Sequence, residues 1–87
     1  MTYTVEFTRA AAKGYRSLPA KDKERVSQAV SGLAVDPWSA RARPLSGHSK
    51  LLRIRVGNYR IVYQVEEENL IVLIVIVGHR KDVYRKL

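Results

Sequence analysis

The sequence contains no cysteine, which excludes disulfide bonds, thiolate nucleophiles and zinc-finger sites at once. No charged segment followed by an apolar stretch opens the chain, so we expect no secretory signal peptide. The longest apolar run, Leu70 to Val77, is eight residues, whereas a membrane-spanning helix needs about 20. These absences predict a cytoplasmic protein without a membrane segment. The 87 residues suffice for a single domain, residues 1–87, with one modest core.

Acidic residues are missing from the middle of the chain. No Asp or Glu occurs between Pro37 and Val65, although that stretch holds six basic residues. The six are Arg41, Arg43, Lys50, Arg53, Arg55 and Arg60. The net charge is +8 at pH 7, and the guanidinium group of arginine matches the geometry of phosphate oxygens. The asymmetry indicates a phosphate-rich or acidic partner; the alternative is a solvated basic surface that aids solubility.

Residues 51–65 predict a β-hairpin, because apolar residues alternate with polar ones on both sides of Gly57–Asn58, a two-residue turn signal. In this hairpin Arg55 faces Arg60 across the ladder, and Arg53 lies on the same face. The other face is apolar and consists of Leu52, Ile54, Val56, Tyr59, Ile61, Tyr63 and Val65. Like charges directly opposite each other destabilise a sheet. The arginine face therefore suggests an anionic ligand.

Two helices are predicted ahead of the hairpin. After a short alternating strand at 2–7, Thr8 is a suitable N-cap for a helix that runs to about Ser17. Pro19 fits the first turn of a second helix, and Asp36–Pro37 ends it. The two helices form an amphipathic αα-hairpin, whose apolar side we expect to cover the apolar face of the sheet.

The remaining segments complete an α+β fold of order β-α-α-β-β-β with a short C-terminal tail. Residues 38–49 lack periodicity and predict a loop, in which Trp38 is interpreted as a lid on the helical hairpin. An acidic turn leads to Leu70–Val77, which is apolar on both faces as in an interior strand. We expect an antiparallel sheet of about four strands. In it the last strand lies between the hairpin of residues 51–65, hereafter the arginine hairpin, and the N-terminal strand.

The register of the last strand places further polar residues near the arginines. If the acidic segment Glu66–Asn69 is a four-residue turn, Val65 pairs with Leu70 and Arg60 pairs with Val75. The end of the last strand then lies beside the Gly57–Asn58 turn. The residues gathered at this edge are Arg53, Arg55, Arg60, His79, Arg80 and Tyr84.

In these segments the sequence resembles the RelE/ParE superfamily of bacterial toxins from type II toxin-antitoxin modules. The matching blocks are the N-terminal strand and helical hairpin, Pro44–Gly47, Leu52–Tyr63 and Val77–Tyr84. The RelE branch is the more similar one. The resemblance implies a toxin that enters the ribosome and cuts mRNA, and a cognate acidic antitoxin as partner.

The resemblance also implies site residues. The two basic residues of the RelE motif's second strand fall on Arg53 and Arg55, its third-strand arginine on Arg60, its arginine after the last strand on Arg80 and its tyrosine on Tyr84. Two departures stand out. The RelE pattern has lysines where Arg53 and Arg55 stand, and it has a longer segment between the arginine and the tyrosine, followed by a helix.

Metal-free RNA cleavage by the 2′-hydroxyl needs a base, an acid and positive charge at the phosphorus. Arg55, Arg60 and Arg80 suit the last task, because a guanidinium stays charged but is a poor base at pH 7. His79 is either an acid or base, or a packed loop residue. Tyr84 orients the 2′-hydroxyl, stacks on a base or caps the core. The expected RNA-backbone contacts are Arg43, Lys50, Arg53 and Lys81.

Two other functions fit the same sequence. One is a ParE-like inhibitor of DNA gyrase without nuclease activity, and the other is an RNA-binding domain without catalysis. With only two separated histidines, His48 and His79, and no cysteine, we expect no metal site. The chain also lacks a glycine-rich phosphate loop, and no cofactor is expected.

Overall fold

The computed structural model describes residues 2–39, 41–45 and 47–79. Its elements, in chain order, are β1 Thr4–Phe7, α1 Arg9–Arg16, α2 Ala20–Val35, β2 Arg43–Leu45, β3 His48–Val56, β4 Tyr59–Glu66 and β5 Ile71–His79. Within these residues the strands form one sheet in the order β1-β5-β4-β3-β2. The α+β class, the αα-hairpin and the position of β5 between the arginine hairpin and β1 are confirmed.

Both helices begin and end near the residues that the sequence marks. Thr8 is the N-cap of α1, and its hydroxyl oxygen accepts a hydrogen bond from the Ala11 amide at 3.1 Å. α2 follows Pro19 and ends at Asp36, where the next proline disfavours helical backbone. The Thr8 hydroxyl also donates to the Val75 carbonyl at 2.6 Å, which attaches the start of α1 to β5. Neither described helix is long and apolar enough to cross a membrane.

The sheet differs in two respects from the prediction of about four antiparallel strands. First, β2 lies inside 38–49, the predicted loop, and pairs antiparallel with β3. Three residues that include Pro44 are too few to show an alternating pattern. Second, β1 pairs parallel with β5, so the sheet is mixed. The parallel contact continues to the start of α1, where the Thr8 amide donates to the Ile74 carbonyl at 2.9 Å. Nothing in the β1 sequence distinguishes a parallel neighbour from an antiparallel one.

The predicted register of β5 is wrong, because Arg60 pairs with Gly78 rather than Val75. Leu70 has a φ of 53° and belongs to the turn, which moves the four-residue turn one position along the chain and shifts the pairing by two residues. An irregularity between Val62 and Tyr63 shifts it by one more. A left-handed backbone at a leucine is unusual, so the sequence gives no sign of it.

The main core lies between the helical hairpin and the sheet. All seven apolar residues predicted for one face of the arginine hairpin belong to this core or pack against it. A smaller apolar cluster lies on the opposite face and consists of Leu45, Val62 and Ile76, with Leu51 and Val75 against it. Gly14 allows α1 to approach β5 closely, because a Cβ at this position would collide with the Val77 carbonyl.

Tyr63 connects the centre of the sheet to the end of α2. Its side chain is fully buried, and its hydroxyl donates to the Pro37 carbonyl at 2.7 Å. Burial raises the pKa of Tyr63 to about 12, and the nearby Asp36 carboxylate contributes to the increase. The folded protein therefore holds this phenol proton at pH values at which the unfolded chain releases it.

We expect stability to fall as the pH rises from about 10, the unfolded pKa of tyrosine, to about 12, the folded pKa of Tyr63. Below pH 10 the contribution is fully present, and about two pKa units correspond to roughly 2–3 kcal/mol. In the Tyr63→Phe variant this component of the pH dependence should vanish, and the variant should be less stable at pH 7 by about 1–2 kcal/mol because the Pro37 carbonyl loses its donor. Urea unfolding at pH 7, 9.5 and 11 measures both effects. An identical alkaline loss in wild type and variant would contradict the assignment to Tyr63.

Candidate functional site

The arginine hairpin has the register that the sequence predicts. Arg55 is opposite Arg60, and Arg53 is opposite Val62. In a two-residue hairpin the residues next to the turn exchange both hydrogen bonds, so the Arg55–Arg60 pair is a non-hydrogen-bonded one with its Cα atoms about 4.5 Å apart. Consistent with this, the Arg55 carbonyl points out of the ladder and accepts a hydrogen bond from Nη2 of Arg41 at 2.6 Å.

A second pair of arginines extends the same face. Arg43 of β2 pairs with Arg53 of β3, and directly paired residues share a face. Arg43, Arg53, Arg55 and Arg60 therefore form one basic surface, hereafter the arginine face. The buried side chains of Val62 and Ile76 also point to this side, so the arginine side chains lie around a small apolar cluster. A phosphate fits such a surface, because guanidinium groups match its oxygens and remain charged.

Lys50 is not part of the arginine face. It lies two residues before Leu52 on β3, so its side chain projects to the helix side of the sheet. There it lines a cleft together with Trp38, Leu52 and Val65. Trp38 is 54% exposed, so the prediction that it forms a lid on the helical hairpin is wrong. The backbone around Trp38 is held by the Asp36 side chain, which accepts from the Trp38 amide at 3.1 Å.

His79 also lies on the helix side. It pairs with Tyr59, and the two rings meet edge to face with centroids 5.9 Å apart and planes at 81°. Partial burial raises the pKa of Tyr59, and the charge of Asp22 and a hydrogen bond to its carboxylate raise it further. The structure therefore places His79 beside Tyr59 and does not bring its ring onto the face of Arg55 and Arg60.

Three predicted site residues, Arg80, Lys81 and Tyr84, lie outside the described residues, and their roles stay predictions. Gly78 lies directly opposite Arg60. Arg80 follows Gly78 by two residues in the sequence. Among the described residues, no group of three His, Asp or Glu side chains could hold a metal ion.

Two arginines near the turn were not assigned a role from the sequence. Arg41 contacts the backbone of Arg55, as described above. Arg25 of α2 reaches the Gly57 turn, with Nη1 lying 3.6 Å from the position that a Cβ on Gly57 would occupy. The absence of acidic residues around Arg41 is visible in the sequence, but the approach of α2 to the hairpin turn is not.

The chain matches a known protein family over most of its length. Residues 5–84 match the family model described as ParE toxin of type II toxin-antitoxin system, parDE. Toxin RelG of Mycobacterium tuberculosis is 33% identical over 88 residues, which are 99% of this chain and 100% of the relative. The mRNA interferase toxin RelE of Escherichia coli K12 is 29% identical over 83 residues, 93% of this chain and 86% of the relative.

Solved structures agree with this assignment. A chain of the toxin-antitoxin complex RelBE2 from Mycobacterium tuberculosis superimposes with a TM-score of 0.81 at 30% identity, and the match covers 92% of this chain and 100% of that one. The intact RelBE complex of E. coli gives a TM-score of 0.78 at 28% identity, covering 88% of this chain and 95% of the other. Both proteins share the fold described above.

Binding of single-stranded RNA should depend on the arginine face. Arg55→Ala should lower the slope of log Kd against log salt by about 0.7, because one contact to a phosphate is lost. Arg9→Ala removes an exposed arginine from α1 and should leave the slope unchanged. Fluorescence anisotropy with a short labelled 2′-O-methyl RNA measures these slopes. If Arg55→Ala and Arg9→Ala both keep the wild-type slope, the arginine face does not contact phosphate.

Proposed function

Since the chain belongs to the RelE/ParE superfamily of type II toxin-antitoxin toxins, we propose that it acts as a RelE-like toxin that cuts mRNA on the ribosome. The observation that carries this proposal is the arginine face, in which Arg55 and Arg60 are directly paired next to the strand end that leads to Arg80. An mRNA interferase among the relatives supports the same activity. The ribosome and its mRNA are the proposed partners in this reaction.

The chemistry needs no group other than the RNA and the protein. The 2′-hydroxyl of the RNA gives its proton to a base as its oxygen attacks the adjacent phosphorus. The bond from phosphorus to the 5′-oxygen breaks, which leaves a 2′,3′-cyclic phosphate, and an acid gives the departing 5′-oxygen a proton. Negative charge builds on the phosphate oxygens during this step, and preorganised donors aimed at that charge are the largest source of rate enhancement in such sites. Arg55, Arg60 and Arg80 are proposed to supply these donors.

Proton transfer is proposed to involve Tyr84 rather than His79. The His79 ring packs against Tyr59 on the helix side of the sheet, so its proposed role is to hold the end of β5 in place. Tyr84 follows Arg80 by four residues and can orient the 2′-hydroxyl. Arg43 and Arg53 lie farther from the hairpin turn than Arg55, and their proposed role is to hold the RNA backbone.

The proposed antitoxin is a small acidic protein, in keeping with relatives that were solved as RelBE complexes. An apolar groove of about 750 Å³ lies between β1 and the two helices, and Val5, Tyr15 and Val30 line it. Its rim carries Val35, which is 66% exposed, and Arg16. Exposed apolar surface next to a basic side chain suits an amphipathic acidic segment that folds on binding.

Inhibition of DNA gyrase is the second candidate function. The observation that favours it is the family model, which describes a ParE toxin and covers residues 5–84. A supercoiling assay beside a translation assay separates the two activities. Loss of supercoiling at toxin concentrations that leave translation intact would favour gyrase.

Arg80→Ala should reduce cleavage of ribosome-bound mRNA by about 10²-fold or more, because one donor to the transition-state charge is removed. Primer extension that maps 5′ ends on translated messages measures the effect, and Arg9→Ala serves as the matched control. Circular dichroism should show the wild-type fold for both variants. Cleavage by Arg80→Ala at the wild-type rate would refute the assignment of Arg80 to the site.

A further inference from the structure

The outer edge of β3 is open beyond Arg53. β2 pairs with β3 only as far as the Arg43–Arg53 pair, so the segment from Ile54 to Val56 has no neighbouring strand on that side in the part of the chain that the structure describes. α2 runs past this open edge instead. Two adjoining clefts of about 230 and 380 Å³ lie between them, and both are lined by Gln28, Ala29 and Arg41.

Two guanidinium groups occupy this edge. Arg41 donates from Nη2 to the Arg55 carbonyl at 2.6 Å, and Arg25 lines the larger cleft next to Gly57. Within the described residues, neither group has a carboxylate partner. Asp36 also lines the smaller cleft, but one of its oxygens accepts from the Trp38 amide. The edge therefore carries two arginines, and the hydrogen bond from Arg41 to the Arg55 carbonyl joins it to the strand position that bears Arg55.

An added β-strand is a poor occupant for this edge. An added strand would need the outward carbonyl of Arg55 as a hydrogen-bond acceptor. That carbonyl already accepts a hydrogen bond from Arg41. The fork of Arg41 retains further N–H donors that can bind an anion. Arg41 and the polar Gln28 line both clefts, and Arg25 adds a second positive charge in the larger one. These two arginines favour the phosphates of an RNA backbone as the occupant.

We infer that Arg25, Gln28 and Arg41 form a second phosphate-binding site, which holds the backbone of RNA as it continues from the arginine face around the edge of β3. This inference rests on the proposed RNA-directed function and extends it to α2. Arg25 and Arg41 then act by binding, at a distance from the reacting phosphate.

The test uses the full chain and a short labelled 2′-O-methyl RNA, which lacks the nucleophile and is not cleaved. Arg25→Ala should weaken binding and lower the slope of log Kd against log salt by about 0.7, while Arg9→Ala, which also removes one exposed arginine, should match wild type. Arg41→Lys keeps the charge and should retain nearly the wild-type slope, whereas Arg41→Gln should lower the slope by about 0.7. If Arg25→Ala and Arg9→Ala give the same slope as wild type, the inference is wrong.

Cleavage of ribosome-bound mRNA distinguishes this site from the proposed nuclease function. Arg25→Ala should raise the toxin concentration needed for half-maximal cleavage and leave the maximal rate unchanged. If wild type does not cleave but Arg25→Ala still lowers the RNA slope, the nuclease proposal fails and the edge site stands. If Arg25→Ala weakens binding of an acidic antitoxin peptide and leaves RNA binding intact, the edge belongs to the protein partner and the inference is overturned.

Discussion

The pairing of Arg55 with Arg60 across the β3–β4 ladder is the constraint on which the site depends. Repulsion across such a pair is worth at most about 1 kcal/mol. The same register buries Ile54, Val56 and Ile61 against the helices, and each apolar side chain of this kind contributes about 1.5–3 kcal/mol when buried. A slip by one residue would turn every one of these side chains to the other face. The apolar face therefore enforces the arginine pair.

Because the register is enforced in this way, the two faces of the sheet have different roles. The helical hairpin covers one face and is held there by Thr8 on the Val75 carbonyl, by Tyr63 on the Pro37 carbonyl and by the close approach at Gly14. The other face is left for the basic side chains and the small apolar cluster. The groove between β1 and the helices lies apart from the arginine face, so one partner can occupy each.

The sequence predicts correctly those features that short segments determine by themselves, namely the hairpin register and the helix boundaries. The Gly57–Asn58 turn and the alternation around it gave the hairpin register, and Thr8 and Asp36–Pro37 gave helix boundaries that the structure confirms. The features that the sequence could not reveal depend on contacts between distant segments. They include the direction of β1, the short β2 and the reach of Arg25 to the hairpin turn.

The position of His79 is the instructive case. The left-handed φ of Leu70 and the irregularity between Val62 and Tyr63 together move β5 by three residues along β4. His79 consequently pairs with Tyr59 and lies on the helix side, whereas the sequence had grouped it with the arginines. A single irregular residue changes the face of every side chain that follows it in a strand, so site residues after a bulge are the least predictable ones.

Arg55→Glu tests most directly whether the Arg55–Arg60 pair lowers the stability of the sheet and serves to bind an anion. The substitution puts opposite charges across the ladder, so urea unfolding should show a gain of up to about 1 kcal/mol. RNA binding by the same variant, measured by anisotropy, should be weaker than that of Arg55→Ala, because the new carboxylate repels phosphate. A variant that is less stable than wild type and binds RNA with unchanged affinity would contradict the account.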